Sequence, residues 1–279
     1  MPSQAIIGLE ANWINGWLAA LGIAVLVPDA RLSWNSDPIP RAVVETPHLL
    51  ADDLSEAFPS EDELDALSSA RRMPASEIEF PRKVTLSQYR SRATIARITG
   101  DSGLSSTVTD LSENDGELDH SPFDPPVPQG RTLWDRLVSC CEAVTITPEN
   151  LMASLAGQGT RVKLNGLGFD HRRILTPTDP NGSTWVDPAI EVLAFAGLTL
   201  IPLRGDGRRS HARGWTAPPT HPGAFSWPVW RPMLDIAAID SLLDRYWSEQ
   251  WSAPVAFESV PYRPRGSSDV TRGYASRRA

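Results

Sequence analysis

Leu18-Ala-Ala-Leu-Gly22-Ile-Ala-Val-Leu26 near the start and Leu193-Ala-Phe-Ala-Gly197-Leu-Thr-Leu-Ile201 far downstream are one phrase written twice, 175 residues apart. Each reads as the end of a buried helix, a glycine, and then a strand. Glycine reaches the left-handed backbone region without steric cost, so it can end a helix and let the last carbonyls find partners. The reading is therefore a helix-glycine-strand unit used twice, the basis of one main α+β domain.

Working outward from the first copy, Asn12 to Leu21 is apolar enough for a short buried helix. Ile23 to Val27 is then a buried strand, and Ala30 to Trp34 alternates as a strand after a Pro28-Asp29 turn. From Asp37 to Pro59 prolines multiply and periodicity fades, Glu61 to Ala70 is acidic, and Gly100 to Gly130 is rich in Ser, Asp, Gly and Pro. Residues 37–130 are accordingly expected to be an acidic, partly flexible insertion. Pattern returns at Thr132 to Val144, with Leu133, Trp134, Leu137, Val138 and Cys141 on one helical face. Thr147-Pro148-Glu149 reads as cap, first-turn proline and first-turn acid of a helix ending at Gly157, and Asp187-Pro188 starts another that ends at Gly197. Ile236, Ile239, Leu243, Tyr246, Trp247 and Gln250 give an amphipathic helix behind Asp235, and beyond Pro254 the chain turns polar and basic. The expected division is a main domain of residues 1–36 and 131–253, the insertion 37–130, and a fraying basic tail 254–279.

The 279 residues, 41% hydrophobic, are ample for a sizeable core. The longest apolar run, Trp13 to Val27, falls short of the roughly 20 residues that a membrane span needs, and no basic segment precedes it, so a soluble, cytoplasmic protein is expected. The only cysteines, Cys140 and Cys141, are sequence neighbours, which suits neither an unstrained disulfide nor a zinc site; reduced core thiols are expected. The net charge of −8 is uneven: residues 1–130 carry 9 basic and 20 acidic side chains, residues 131–279 carry 17 and 14. Any polyanion would thus be met by a local basic surface in the second half.

Two clusters could carry chemistry. Gly166-Leu-Gly-Phe-Asp170-His171-Arg172-Arg173, followed by Asp179 and Asp187, contains hard to borderline ligands, yet the spacing fits no metal motif. Asp187 is better read as a helix cap, and Asp179-Pro-Asn-Gly182 as a turn. Gly166-x-Gly168 lacks the rest of a dinucleotide fingerprint, no phosphate-binding Gly-x-x-x-x-Gly-Lys loop exists, and His48, His120, His171, His211 and His221 accompany no nucleophile elbow. No catalytic residue, metal or cofactor is expected. The second cluster is Arg204-Gly-Asp-Gly-Arg208-Arg209-Ser-His211-Ala-Arg213-Gly-Trp215. Arginine forks clamp phosphate, and a Trp can stack a base for roughly 1 to 3 kcal/mol. An exposed loop kept soluble by its arginines has the same composition. Arg208, Arg209 and Arg213 are the expected backbone contacts. Arg172 and Arg173 would join them if a strand at Phe169 lies beside one over Leu198 to Leu203. Arg263, Arg265, Arg272, Arg277 and Arg278 add basic character to the tail. Of ten tryptophans, Trp227 and Trp230 flank Pro228 and Val229, an extended strip that suits core packing or, more sharply, docking of a protein partner.

Leu9-Glu-Ala-Asn-Trp-Ile-Asn-Gly-Trp-Leu-Ala-Ala-Leu-Gly-Ile23 followed by Arg31-Leu-Ser-Trp34 resembles the N-terminus of subtype-specific CRISPR-associated proteins. Gly166 to Arg173, Asp187 to Gly197, and Arg213-Gly-Trp followed by Phe225 to Trp230 are similar to later blocks of accessory proteins of type I-G (formerly I-U) systems, including an extension-type protein beside the Cas helicase-nuclease. The resemblance implies a non-catalytic role in RNA-guided antiviral defence. The chain would be an effector-complex subunit touching guide RNA or target DNA backbone, with other effector subunits or the helicase-nuclease as partners and no membrane. In such complexes base pairing reads sequence while proteins hold backbones and recruit the nuclease. Two other readings stay open: an adaptor that docks the helicase-nuclease without nucleic-acid affinity, and a metal-dependent nuclease centred on Asp170, His171 and Asp187.

Overall fold

The computed structural model describes residues 3–58, 84–85, 113–114, 117–118, 133–164, 166, 185–201, 203–205, 210–215, 224–262 and 271–278. It is an α+β fold whose first sheet is antiparallel in the order β1-β3-β2, with β1 Ser3–Glu10, β2 Arg31–Trp34 and β3 Arg41–Glu45. Between β1 and β2 runs helix α1, Ile14–Leu26, buried on every side from Ile14 to Ala24, which suits an apolar sequence broken only by Asn15 and with no polar stripe.

That helix corrects the opening expectation. Ile23–Leu26 is its last turn and not a strand, and Gly22 lies within it. The chain leaves the helix at Val27, whose N–H still donates to the Ile23 carbonyl at 2.9 Å, and turns at Asp29, φ 59°. The second copy behaves likewise. Helix α5, Pro188–Gly197, keeps Gly197 in right-handed geometry (φ −62°), and a 3₁₀ turn over Leu198–Leu200 stands where a strand was expected. A Cβ at Gly22 would overlap the Leu193 carbonyl of α5, and a Cβ at Gly197 would overlap the Leu18 carbonyl of α1. The two phrases resemble each other because they are the two halves of one crossing, in which each glycine admits the other helix's backbone.

The other helix signals read as expected. Helix α3 spans Leu133–Ala143, and helix α4 spans Pro148–Leu155 with the Thr147 side chain accepting from the Asn150 N–H at 3.2 Å. Gly157 at φ 77° ends α4, the left-handed stop that Gly22 and Gly197 are not. Helix α6, Ile236–Trp247, is capped by Asp235, which accepts from the Ala238 N–H at 2.8 Å.

The boundary drawn at residue 37 does not match the packing. β3 is the central strand of the first sheet, with Ala42 and Val44 buried, and helix α2, Leu50–Ala57, buries Leu50, Leu54 and the following Phe58 in the same core. Pro40 and Pro47 flank a five-residue strand rather than break it. Short pairs follow: β4 Val84–Thr85 and β5 Glu113–Asn114 both pair with β6 Glu117–Leu118, β7 Val162–Lys163 pairs with β8 Trp185–Val186, and β9 Leu203–Gly205 pairs with β10 Ser210–Ala212. The stretch Gly100–Gly130 otherwise lies outside the described residues.

Over most of its described residues the tail expected to fray is sheet. β11 Ser226–Val229, β12 Val255–Tyr262 and β13 Thr271–Arg278 form an antiparallel sheet in that order, with Phe257 and Ser259 buried. The first sheet and the β11 segment are joined by backbone bonds: Leu32 and Leu234 exchange two, at 2.8 and 3.0 Å, and Trp34 N–H donates to Trp230 O at 3.1 Å. Trp17 lies 6.1 Å from Phe225, Phe225 stacks 5.6 Å from Trp227, and Trp34 meets Trp230 edge-on at 6.1 Å. Among the described residues no helix is long and apolar enough to cross a membrane.

Candidate nucleic-acid interface

Strands β9 and β10 present the arginine-rich segment, with Gly205 paired to Ser210 and Leu203 to Ala212. Residues 206–209, including Arg208 and Arg209, lie outside the described residues, as do Arg172, Arg173, Asp170, His171 and Asp179. Immediately after β10 the chain turns at Gly214, φ 76°, where a Cβ would meet the rings of Phe225 and Trp247. This turn directs Arg213 inward.

Arg213 is buried and spoken for. Its Nε donates to Asp244 Oδ1 at 2.9 Å, its Nη1 donates to Leu200 O at 2.8 Å and to Asp240 Oδ1, its Nη2 pairs with Asp244, and the guanidinium lies 5.9 Å from the Trp247 ring centre. Burial works against the charge, but the hydrogen bonds and charges of Asp244 and Asp240 outweigh it and raise its pKa. The expectation that Arg213 clamps phosphate is therefore corrected: its donors are engaged within the protein. A signal existed, since Asp240 and Asp244 stand four apart on a helix and share a face aimed at one cation.

Trp227 and Trp230 are likewise corrected as docking residues. Both are fully buried, with Trp227 Nε1 donating to Ala11 O at 2.7 Å and Trp230 Nε1 to Leu32 O at 3.0 Å. Pro228 sits between them on an edge strand, where its missing N–H leaves no ladder partner wanting.

Asp187 does act as a helix cap. Its Oδ1 accepts from Ala189 N–H at 3.1 Å and from Ser154 Oγ at 3.0 Å, and burial raises its pKa against those bonds. Among the described residues no group of three metal-ligating side chains converges. Cys140 and Cys141 are free and buried; burial raises both pKa values, that of Cys141 to about 12, which leaves little thiolate at neutral pH. A second buried polar pair is Asn15 and Glu191, where Asn15 Nδ2 donates to Glu191 Oε1 at 2.6 Å between α1 and α5.

One surface feature was not anticipated. The C-terminal end of α6, the chain after it and the start of β12 border an open groove of about 660 Å³ walled by Trp215, Tyr246, Trp247 and Trp251. Trp247 is fixed by its Nε1 donating to Ser226 O at 2.8 Å, and Tyr246 meets Trp251 edge-on at 6.2 Å. Burial raises the Tyr246 pKa, partly offset by a bond with Ser226 and reinforced by Glu258. The run Tyr246-Trp-Ser-Glu-Gln-Trp251 carried the signal, three aromatics clustered where a helix ends. Comparison with protein-family models, curated proteins and solved structures gives no match for this chain.

Proposed function

We propose that the chain is a non-catalytic component of a type I CRISPR interference system, a subunit of the effector complex that contacts nucleic-acid backbone. The observation that supports this reading is convergence. Of the blocks that carry the resemblance from scattered places in the sequence, Leu9–Ile23, Arg31–Trp34, Asp187–Gly197, Arg213–Trp215 and Phe225–Trp230 pack on one another in a single core, while Gly166–Arg173 lies, but for Gly166, outside the described residues. Residues that must be matched to each other in space are ones that relatives would share as a set. Phosphate contact is assigned to Arg208 and Arg209, with Arg172 and Arg173, and no longer to Arg213.

The test is co-purification of tagged protein with the products of its genomic neighbours, with and without nuclease. Wild type should bring down a guide-RNA complex, and Arg208→Ala with Arg209→Ala should reduce the nucleic acid recovered while leaving thermal unfolding unchanged. The reading fails if no nucleic acid is recovered with wild type, or if the double variant recovers as much as wild type.

A further inference from the structure

The aromatic groove and the charge around it ask for a cation. Around the C-terminal end of helix α6, Asp240, Asp244, Glu249 and the Glu258 that acts on Tyr246 stand against Arg213 and Arg245, so the charge here is acidic on balance. Aromatic faces attract cations, most strongly those of Trp, and the protein already places one guanidinium over Trp247 in this way. A phosphate backbone would be repelled here.

Glu249 marks the place. Helix α6 ends in a double hydrogen-bonded stop, with Gln250 N–H donating to Arg245 O at 2.8 Å and Glu249 N–H to Tyr246 O at 3.1 Å. In that stop the left-handed position normally falls to glycine, and here Glu249 holds it at φ 59°, exposed and on the groove wall. A β-carbon there costs stability that a glycine would not, so the carboxylate sits at the groove at the expense of the fold.

We propose that the groove seats a basic, extended segment of a partner protein, with a lysine or arginine side chain laid on the Tyr246 and Trp251 rings and Glu249 as its counter-charge. Peptides with such side chains use aromatic-lined grooves for contact area and a rim acid for orientation. The proposal stands whether or not the chain touches nucleic acid.

The experiment is fluorescence anisotropy on the full chain. The probes are a labelled dodecapeptide of arginine alternating with glycine and proline, its glutamate counterpart, and an oligothymidylate of equal length. The arginine peptide should bind, more weakly as salt rises, and the glutamate peptide should not, while any binding of the oligothymidylate should be unaffected by Glu249→Gln. Glu249→Gln should weaken the arginine peptide about five- to tenfold, whereas Glu56→Gln, the same charge change at an exposed site on α2, should leave it unchanged. Glu249→Gly should weaken binding equally while raising the melting temperature by about 2 °C, which no merely structural role would do. Trp251→Leu, keeping apolar bulk without the π face, should also weaken it at least about fivefold. The proposal is overturned if the arginine peptide does not bind, if Glu249→Gln binds it as wild type does, or if Glu249→Gln weakens the oligothymidylate as much as it weakens the peptide.

Discussion

Arg213 shows how much of a side chain's role depends on which way one turn faces. With Gly214 at φ 76° beneath two aromatic rings, the guanidinium points into the protein and ties the end of the 3₁₀ turn, at Leu200 O, to helix α6 through Asp240 and Asp244. The two carboxylates are about half exposed and can rehydrate if the arginine is lost, but the Leu200 carbonyl cannot easily do so. Arg213→Ala should therefore destabilise by about 2 kcal/mol in urea unfolding, less than breaking a fully buried pair, and Arg213→Lys should not restore it. Asp187 offers a pH test. Its folded-state pKa is raised, so the folded protein holds this proton more tightly than the unfolded chain, and stability from this group is present at low pH and lost as pH rises above about 4. Asp187→Asn keeps a capping oxygen but cannot titrate. The gap in stability between Asp187→Asn and wild type should shift toward the variant as pH rises from 4, by chemical denaturation at each pH; a gap independent of pH would refute the assignment.

At the scale of elements, the crossing of α1 and α5 sets two effects of one substitution against each other. Alanine for Gly22 or Gly197 gains about 1 kcal/mol of helix propensity, yet its methyl would overlap a backbone carbonyl that cannot swing aside as a side chain would. The overlap should win, with each variant losing about 2 kcal/mol or more in urea unfolding; a neutral result would mean the helices can part there without cost. This crossing also shows what the sequence could tell. Capped helices were legible because Thr147-Pro148, Asp187-Pro188 and Asp235 announce their starts by local chemistry. Ile23–Val27 was not, because an apolar run has no period, and a glycine required by a neighbouring helix looks the same as one that stops a helix. β3 and α2 were missed because prolines at their borders masked short elements, one paired with β1 and β2 and the other packed on α4. Arg213 and the two tryptophans were misjudged for one reason: composition tells what a side chain can bind, and packing decides whether it faces outward.

For the whole molecule, the β11-β12-β13 sheet binds the last part of the chain to the same core that α1 enters first. β12 covers β11 along Ser226–Val229 and buries Phe257 6.2 Å from Trp227. Deleting residues 254–279 should therefore expose β11 as an unpaired edge, shift tryptophan emission to the red and promote aggregation, measured by fluorescence and light scattering. Retention of the native emission and a monomeric state would show that the last strands add little.

The crossing of α1 with α5 has a consequence for the order of events in the cell. A helix buried on all sides from Ile14 to Ala24 finds its main partner in residues that follow about 175 positions later. At a synthesis rate of about 5 to 20 residues per second, roughly ten to thirty seconds pass between the making of α1 and that of α5, with only β1, β2 and α2 available to cover part of it meanwhile. Full burial of α1 is thus expected only after the second half of the chain has been made.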